Sequence, residues 1–337
     1  MKKIYGFDYI RGISALFIML YHYTTRYFDI FHNKTFESDH IGLWWGCFAV
    51  SVFFMLSGYL TAYTYDDKVK PFEFIKKRVL RLYPSYISAI AVTTLFTLIF
   101  NSDAFIGVLP TISNLAIYQS LFGIANVDGA YWTLSVEMTF YIIFAVLILF
   151  RLIKRIDIIN LLWILFIIFQ QVFSHSIPGI INSASKIIAI TDYAHTFIIG
   201  VSLCRIIKKA SYKSVILDFI NLFACIAVQF RQFSAFRGIF LLIFVVLIAF
   251  FATKNIFIKF LKPLVFIANI SYPLYLVHQN IGYMIIGIFD SYMVGVVVAI
   301  VISILIAFLI HHFIETPIVK IIKNKSVNKE KTYDQRI

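Results

Sequence analysis

A 337-residue chain that is 61% hydrophobic and only 14% charged is not a water-soluble globular domain, since those carry about 25% charged residues. Its net charge of +13 sits in particular loops of a helical, membrane-embedded chain, so it points to anionic lipid headgroups and not to nucleic acid. Three scattered cysteines, Cys47, Cys204 and Cys225, form no CxxC pair and no disulfide framework, and read as small core residues.

The fold class expected is all-α and polytopic. Apolar runs of the about 17 to 25 residues that cross a bilayer are predicted at 9–28, 43–65, 82–101, 130–150, 158–177, 187–207, 214–230, 237–253, 264–288 and 292–314. The first run is long enough to span and no small-x-small site follows it, so no cleavable signal peptide is expected. The stretch 113–127 is apolar but short and reads as re-entrant or interfacial; as a span it would raise the count to eleven. With ten spans, 25 of the 30 Lys and Arg residues fall on one set of loops. The positive-inside rule makes that side cytoplasmic and places both termini there. One ten-helix domain over 1–318 is expected, followed by a basic tail over 319–337 that reads as disordered.

The polar residues inside the spans carry the functional signal. Arg11 opens the first apolar run and His22 lies deep within it. Eleven helical residues advance about three turns plus 20° and rise about 16 Å, so the two side chains share one face. Ionisable groups at such depth are costly and mark functional interiors by default. Glu137 in the fourth span and His278 in the ninth are expected at a depth like that of His22, about 10 Å below the outer surface and about 21 Å in from the cytoplasm respectively. Trp132, Ser135 and Tyr141 flank Glu137, Ser57 and Gly58 interrupt the second span, and Tyr275 precedes His278 by three residues. Asp192 and His195, three apart near the outer end of the sixth span, are candidates to touch an external substrate, although interfacial solvation explains them equally well. At the cytoplasmic mouth, Arg78 and Arg81 share a face and, with Arg11, suit a polyanion such as a nucleotide diphosphate. No Gly-rich phosphate loop or dinucleotide fingerprint is present. His311, His312 and Glu315 have a spacing too unspecific to assign a metal site.

These blocks together resemble the family-3 membrane acyltransferases over about residues 4–318. The first block, FDYIRGISALFIMLYH, carries an arginine and a histidine separated by ten residues, as the family does; Arg11 and His22 match it. Arg78 and Arg81 in KKRVLRLYP match the family's Arg-x-x-Arg, and Ser135, Val136 and Glu137 match its Ser-Val-Glu block. VFFMLSGYL, ISYPLYLVHQ and HHFIETP complete the likeness. Met138 departs from it, standing where many members carry a second acidic residue. The resemblance implies transfer of an acyl group, usually acetyl, from acetyl-CoA or another acyl-CoA as co-substrate, with no tightly bound cofactor, to a hydroxyl of a cell-surface glycan or lipid-linked sugar. It implies a bacterial cytoplasmic membrane. On it, His22 is expected as general base or acyl-accepting nucleophile, and Glu137 as the group that orients or stabilises it. Arg11, Arg78 and Arg81 are expected to anchor CoA, with His278, Trp132, Ser135, Asp192 and His195 near the acceptor. A transporter or flippase of a lipid-linked sugar, and a non-catalytic part of a glycan-assembly complex, share the helices and the basic mouth; acyl-CoA dependence separates them from an enzyme.

Overall fold

The computed structural model describes residues 3–31, 44–173, 190–232 and 234–321. Most of the basic tail, from residue 322, lies outside them. All regular structure among the described residues is helical, because a chain in lipid must satisfy each backbone N–H and C=O within its own segment. Eleven helices position the rest: α1 (Tyr5–Tyr21), α2 (Ala49–Thr64), α3 (Pro71–Phe100), α4 (Val108–Ser113), α5 (Trp132–Leu149), α6 (Ile156–Phe173), α7 (Ile190–Ile207), α8 (Tyr212–Gln232), α9 (Ala235–Thr253), α10 (Lys262–Ile288) and α11 (Tyr292–Ile310). Eight helical stretches are long and apolar enough to cross a membrane, and they coincide with eight of the ten predicted spans. The other two predicted spans fall on α1 and α7. The short stretch 113–127 contains two single 3-10 turns, Asn114–Ala116 and Gln119–Phe122, and no helix of spanning length.

Lipid-facing stripes are legible on the outer helices. Ile239, Ile243, Val246 and Phe250 of α9, and Val294, Val297, Val301 and Leu305 of α11, are exposed at helical spacing. In water such a surface would be an aggregation site; in hydrocarbon it is the solvated face.

The chain forms two compact units. One contains residues 1–75 and 132–268, the other 76–131 and 269–337. In the first unit α7 is the central helix, with buried residues running almost without break from Ala194 to Cys204. It packs on α2, α8, α5, α9 and α6. Its closest neighbour is α2, and two glycines permit the approach. A Cβ on Gly58 would lie 2.2 Å from the Phe197 carbonyl oxygen, and one on Gly200 would lie 2.0 Å from that of Met55. Helices in lipid associate chiefly by such close van der Waals packing, so small residues mark their interfaces. Phe197 fills the space beside this seam, stacking on Phe54 at 4.8 Å and on Phe140 at 4.2 Å. At the far end of α7, Arg205 donates from Nε to Asp218 Oδ2 of α8 at 2.8 Å and reaches Asp157 Oδ2 of α6 at 3.6 Å. This ties three helices with one guanidinium.

In the second unit, α3 and α10 are joined by Tyr272, whose hydroxyl donates to the Leu82 carbonyl at 3.0 Å. The chain between α3 and α5 is irregular but closely bonded. Asn114 Oδ1 accepts from Gln119 Nε2 and the Val127 N–H, each at 3.0 Å. Its Nδ2 donates to the carbonyls of Pro110 and Ala125, and the Tyr86 hydroxyl donates to its carbonyl at 2.7 Å. One buried side chain thereby replaces a stretch of secondary structure, as backbone groups away from water require.

Candidate active site

Arg11 and His22 stand on one rod, residues 5–31, which is helical throughout. His22 opens a π-helical turn, His22–Arg26, before the rod resumes as Tyr27–Phe31. The wider turn changes the phase of the side chains after His22, and such π turns recur at functional sites. Both Arg11 and His22 are partly exposed, whereas Gly12, Ser14, Ala15, Ile18 and Met19 between them are buried. Ser14, Ala15 and Ile18 lie on the same face between them, so the pair belongs to the packed side of the helix and is itself only partly covered. Gly12 lets α1 lie against the backbone of Leu264, whose carbonyl oxygen would be 2.3 Å from a Cβ there.

Glu137 lies on α5, where its Oε1 accepts hydrogen bonds from the Ser57 hydroxyl of α2, at 2.9 Å, and from the Tyr141 hydroxyl one turn further along α5. The two hydroxyl oxygens are themselves 2.8 Å apart. Two hydroxyl donors on one carboxylate oxygen fix its orientation. Of the residues that flank Glu137 in sequence, Tyr141 thus joins the carboxylate directly. Ser135 instead donates to the Trp132 carbonyl within its own turn. Trp132 packs on Tyr193 of α7 with ring centroids 5.2 Å apart. Met138 is 5% exposed and belongs to the core. An acidic residue there would need a partner of its own.

Two sequence-predicted positions separate. Asp192 is exposed in the first turn of α7, but His195 is fully buried. His195 Nε2 donates to Gln229 Oε1 of α8. Residues three apart on a helix are offset by about 60°, enough for one to face out and the next to face a neighbouring helix. His195 therefore joins α7 to α8 and is not turned outward with Asp192.

In the second unit Arg78 and Arg81 project from the first half of α3, Arg78 partly exposed and Arg81 exposed. His278 is buried in α10, with Nδ1 at 3.1 Å from the Leu274 carbonyl and 2.9 Å from the Tyr275 carbonyl. Carbonyls only accept, so in the neutral ring Nδ1 holds the proton and Nε2 carries the lone pair. The turn before α5 seats on α10 beside this histidine. Asp128 accepts from the Ala130 N–H at 2.8 Å and from the Asn280 N–H at 2.9 Å. The Asn280 side chain donates to the Val127 carbonyl at 2.8 Å, and Tyr275 donates to that of Ala130 at 3.3 Å. Burial pushes the Asp128 carboxyl up to about 7. Sequence reasoning did not single out Asp128, Asn280 or Asn114. The signal for Asn114 and Asp128 was a cluster of amides, Asn114, Gln119 and Asn126, inside the stretch 113–127 that reads as re-entrant or interfacial, with Asp128 just beyond it. At the end of α11, His311 Nδ1 lies 2.9 Å from Glu315 Oε2, a hydrogen bond one turn apart.

A family model for an acyltransferase domain matches residues 4–312, and the chain belongs to that family. It is also similar to the O-acetyltransferase OatA of Staphylococcus aureus (strain NCTC 8325 / PS 47), with 28% identity over 94% of this chain and 57% of that protein. The chain thus spans somewhat more than half of that relative's length. Shorter similarities reach Nodulation protein 10 of Rhizobium leguminosarum bv. viciae, 26% identical over 41% of this chain and 42% of that protein. A further one is to the acyltransferase MdmB of Streptomyces mycarofaciens, 31% identical over 35% of this chain and 32% of that protein. No solved structure matches the chain at a significant level.

Proposed function

We propose that this protein is an O-acyltransferase that moves an acyl group, in the first instance acetyl, from cytosolic acyl-CoA to a hydroxyl of a cell-surface or lipid-linked glycan. The reading places it in the cytoplasmic membrane with both termini inside. The observation that carries it is the Arg11–His22 pair on one face of one rod, with His22 at the start of a π turn. Membership of the acyltransferase family and the printed name of the staphylococcal relative support it.

In this reading CoA phosphates are held at the cytoplasmic mouth by Arg11, Arg78 and Arg81, since guanidinium forks match phosphate oxygens. The acyl-bearing arm then runs inward toward His22, about 16 Å deeper along the helix. His22 takes the proton from the acceptor hydroxyl as its oxygen attacks the thioester carbonyl. The new C–O bond forms, the C–S bond breaks, and the proton passes from the imidazolium to the departing CoA thiolate. Glu137, fixed by Ser57 and Tyr141, stabilises the positive charge that develops on the histidine. His278, Trp132, Ser135 and Asp192 are assigned to the acceptor side.

The test is binding and turnover of radiolabelled acetyl-CoA by the purified protein. His22→Ala is expected to keep binding and to lose turnover by about 10²- to 10⁴-fold, the range of a general base. Arg78→Ala with Arg81→Ala is expected to lose binding. Full turnover in His22→Ala sinks the mechanism. No binding of any acyl-CoA by the wild type sinks the donor and moves the argument to a transporter.

A further inference from the structure

A cavity of about 500 Å³ opens on the first unit between the α2–α3 connection and the turn that joins α5 to α6. None of Arg11, Arg78 and Arg81 lines it. Four cations do: Lys68 and Lys70 from one side, Arg151 and Lys154 from the other, with Asp67 as the single carboxylate. All four cations are exposed. No salt bridge among the described residues engages any of them. The neighbouring Asp66 is occupied, its Oδ1 accepting from the Lys68 backbone N–H at 2.8 Å. Like charges gathered on one concave wall repel one another unless an anion joins them.

The backbone supports a ligand as well. Arg151 holds φ at +57°, a left-handed conformation that favours glycine or asparagine at the end of a helix. An arginine there gives up conformational ease and places a guanidinium at the cavity. The floor is apolar, built from Val69, Pro71, Ile148 and Ile153. Leu149, which also lines it, is 62% exposed. The site therefore straddles the boundary between a polar head and an apolar body, where basic pockets beside spanning helices take anionic headgroups. Its size is within the range of small-ligand sites.

We propose that this cavity is a phosphate-binding site, distinct from the arginine mouth. It takes a phosphate ester, supplied either by an anionic phospholipid headgroup or by the nucleotide portion of a soluble cofactor. The site stands independently of the acyl-transfer reading, because its ligand does not have to react.

The test uses the purified full chain and two probes. Phosphatidylglycerol retention is measured by native mass spectrometry, with phosphatidylcholine as the neutral control. Binding of adenosine 3′,5′-bisphosphate is measured by calorimetry. At least one probe is expected to bind, and to weaken about fivefold for each charge removed in Lys68→Gln and Lys154→Gln. Arg151→Gly serves as the folding control: it relieves the left-handed backbone, so its melting temperature is expected to hold or rise while probe affinity falls. Loss of the lipid alone identifies a headgroup site, and loss of the nucleotide alone identifies a nucleotide site. If neither probe binds, or if binding is unchanged in all three variants, the proposal is wrong. Failure of acetyl-CoA to bind while the lipid arm holds would sink the donor assignment and leave this site standing.

Discussion

At the scale of single residues, the chemistry rests on where each polar group finds its partner. Glu137 finds two hydroxyls, one on its own helix and one on α2. Asp128 finds two backbone N–H groups and no cation among its described partners. Its carboxyl, raised by burial from 3.8 to about 7, makes stability depend on pH. Between those two values the unfolded chain ionises Asp128 and the folded chain keeps it neutral. The stability it contributes is therefore complete below about pH 4 and is lost as pH rises through about 7. We expect the melting temperature of the purified protein to fall across pH 5 to 8. Asp128→Asn is expected to start lower and to stay flat over the same window. A wild-type profile as flat as the variant's would show that Asp128 is charged in the folded protein. The spacing of Arg11 and His22 was legible from sequence because helical period alone puts them on one face. The burial of His195 was not, because a residue's helix face says nothing of which neighbour covers it.

At the scale of elements, two features decide how the site is held. The first is the α2–α7 seam. Gly200→Ala would put a methyl group 2.0 Å from the Met55 carbonyl oxygen and 2.6 Å from the Tyr59 nitrogen. Backbone on a packed helix yields little, so we expect a loss of about 1–3 kcal/mol, read as a lower melting temperature and poorer expression. Since Ser57 adjoins Gly58 on α2, acyl transfer is expected to fall as well. An unaffected Gly200→Ala protein would mean that the two helices part more easily than their packing suggests. The second feature is the segment between α3 and α5. Its sequence reads as a weak apolar run because periodicity is blind to a fold built on side-chain amides. The Asn114 side chain reaches partners up to 13 residues away, and Asn280 reaches Val127 across 153. Such distances carry no local signature. By contrast, the long helices were legible because the bilayer imposes length and apolarity on every one of them. The π turn at His22 had no signal in the pattern, since one extra residue per turn leaves the apolar composition unchanged.

At the scale of the whole molecule, orientation follows from charge. Cysteines introduced into a cysteine-free background report it directly. Lys77→Cys and Arg155→Cys are expected to react with a membrane-impermeant maleimide only after lysis. Asp103→Cys and Asp290→Cys are expected to react in cells whose cytoplasmic membrane is intact. Labelling of position 77 from outside would invert the topology and overturn the cytosolic donor access that the proposed function requires. The all-helical membrane class was legible, and eight of the ten predicted spans coincide with helices long and apolar enough to cross a membrane. The division into two units was not, because the sequence shows neither a linker nor a shift of composition at residues 75, 131 or 268.

That division has a bearing on biosynthesis. The chain leaves the first unit at residue 75, returns at 132 and leaves again at 268, so neither unit can close until the ribosome is far downstream. Asp128 must wait for a partner made 152 residues later, and α1 and α2 insert long before α7, the helix around which their unit is built. A nascent chain halted before residue 268 holds two unfinished units, each with unpaired polar groups in or beside lipid. Membrane quality control would recognise it as waste, and no truncation short of α10 would leave a smaller working enzyme.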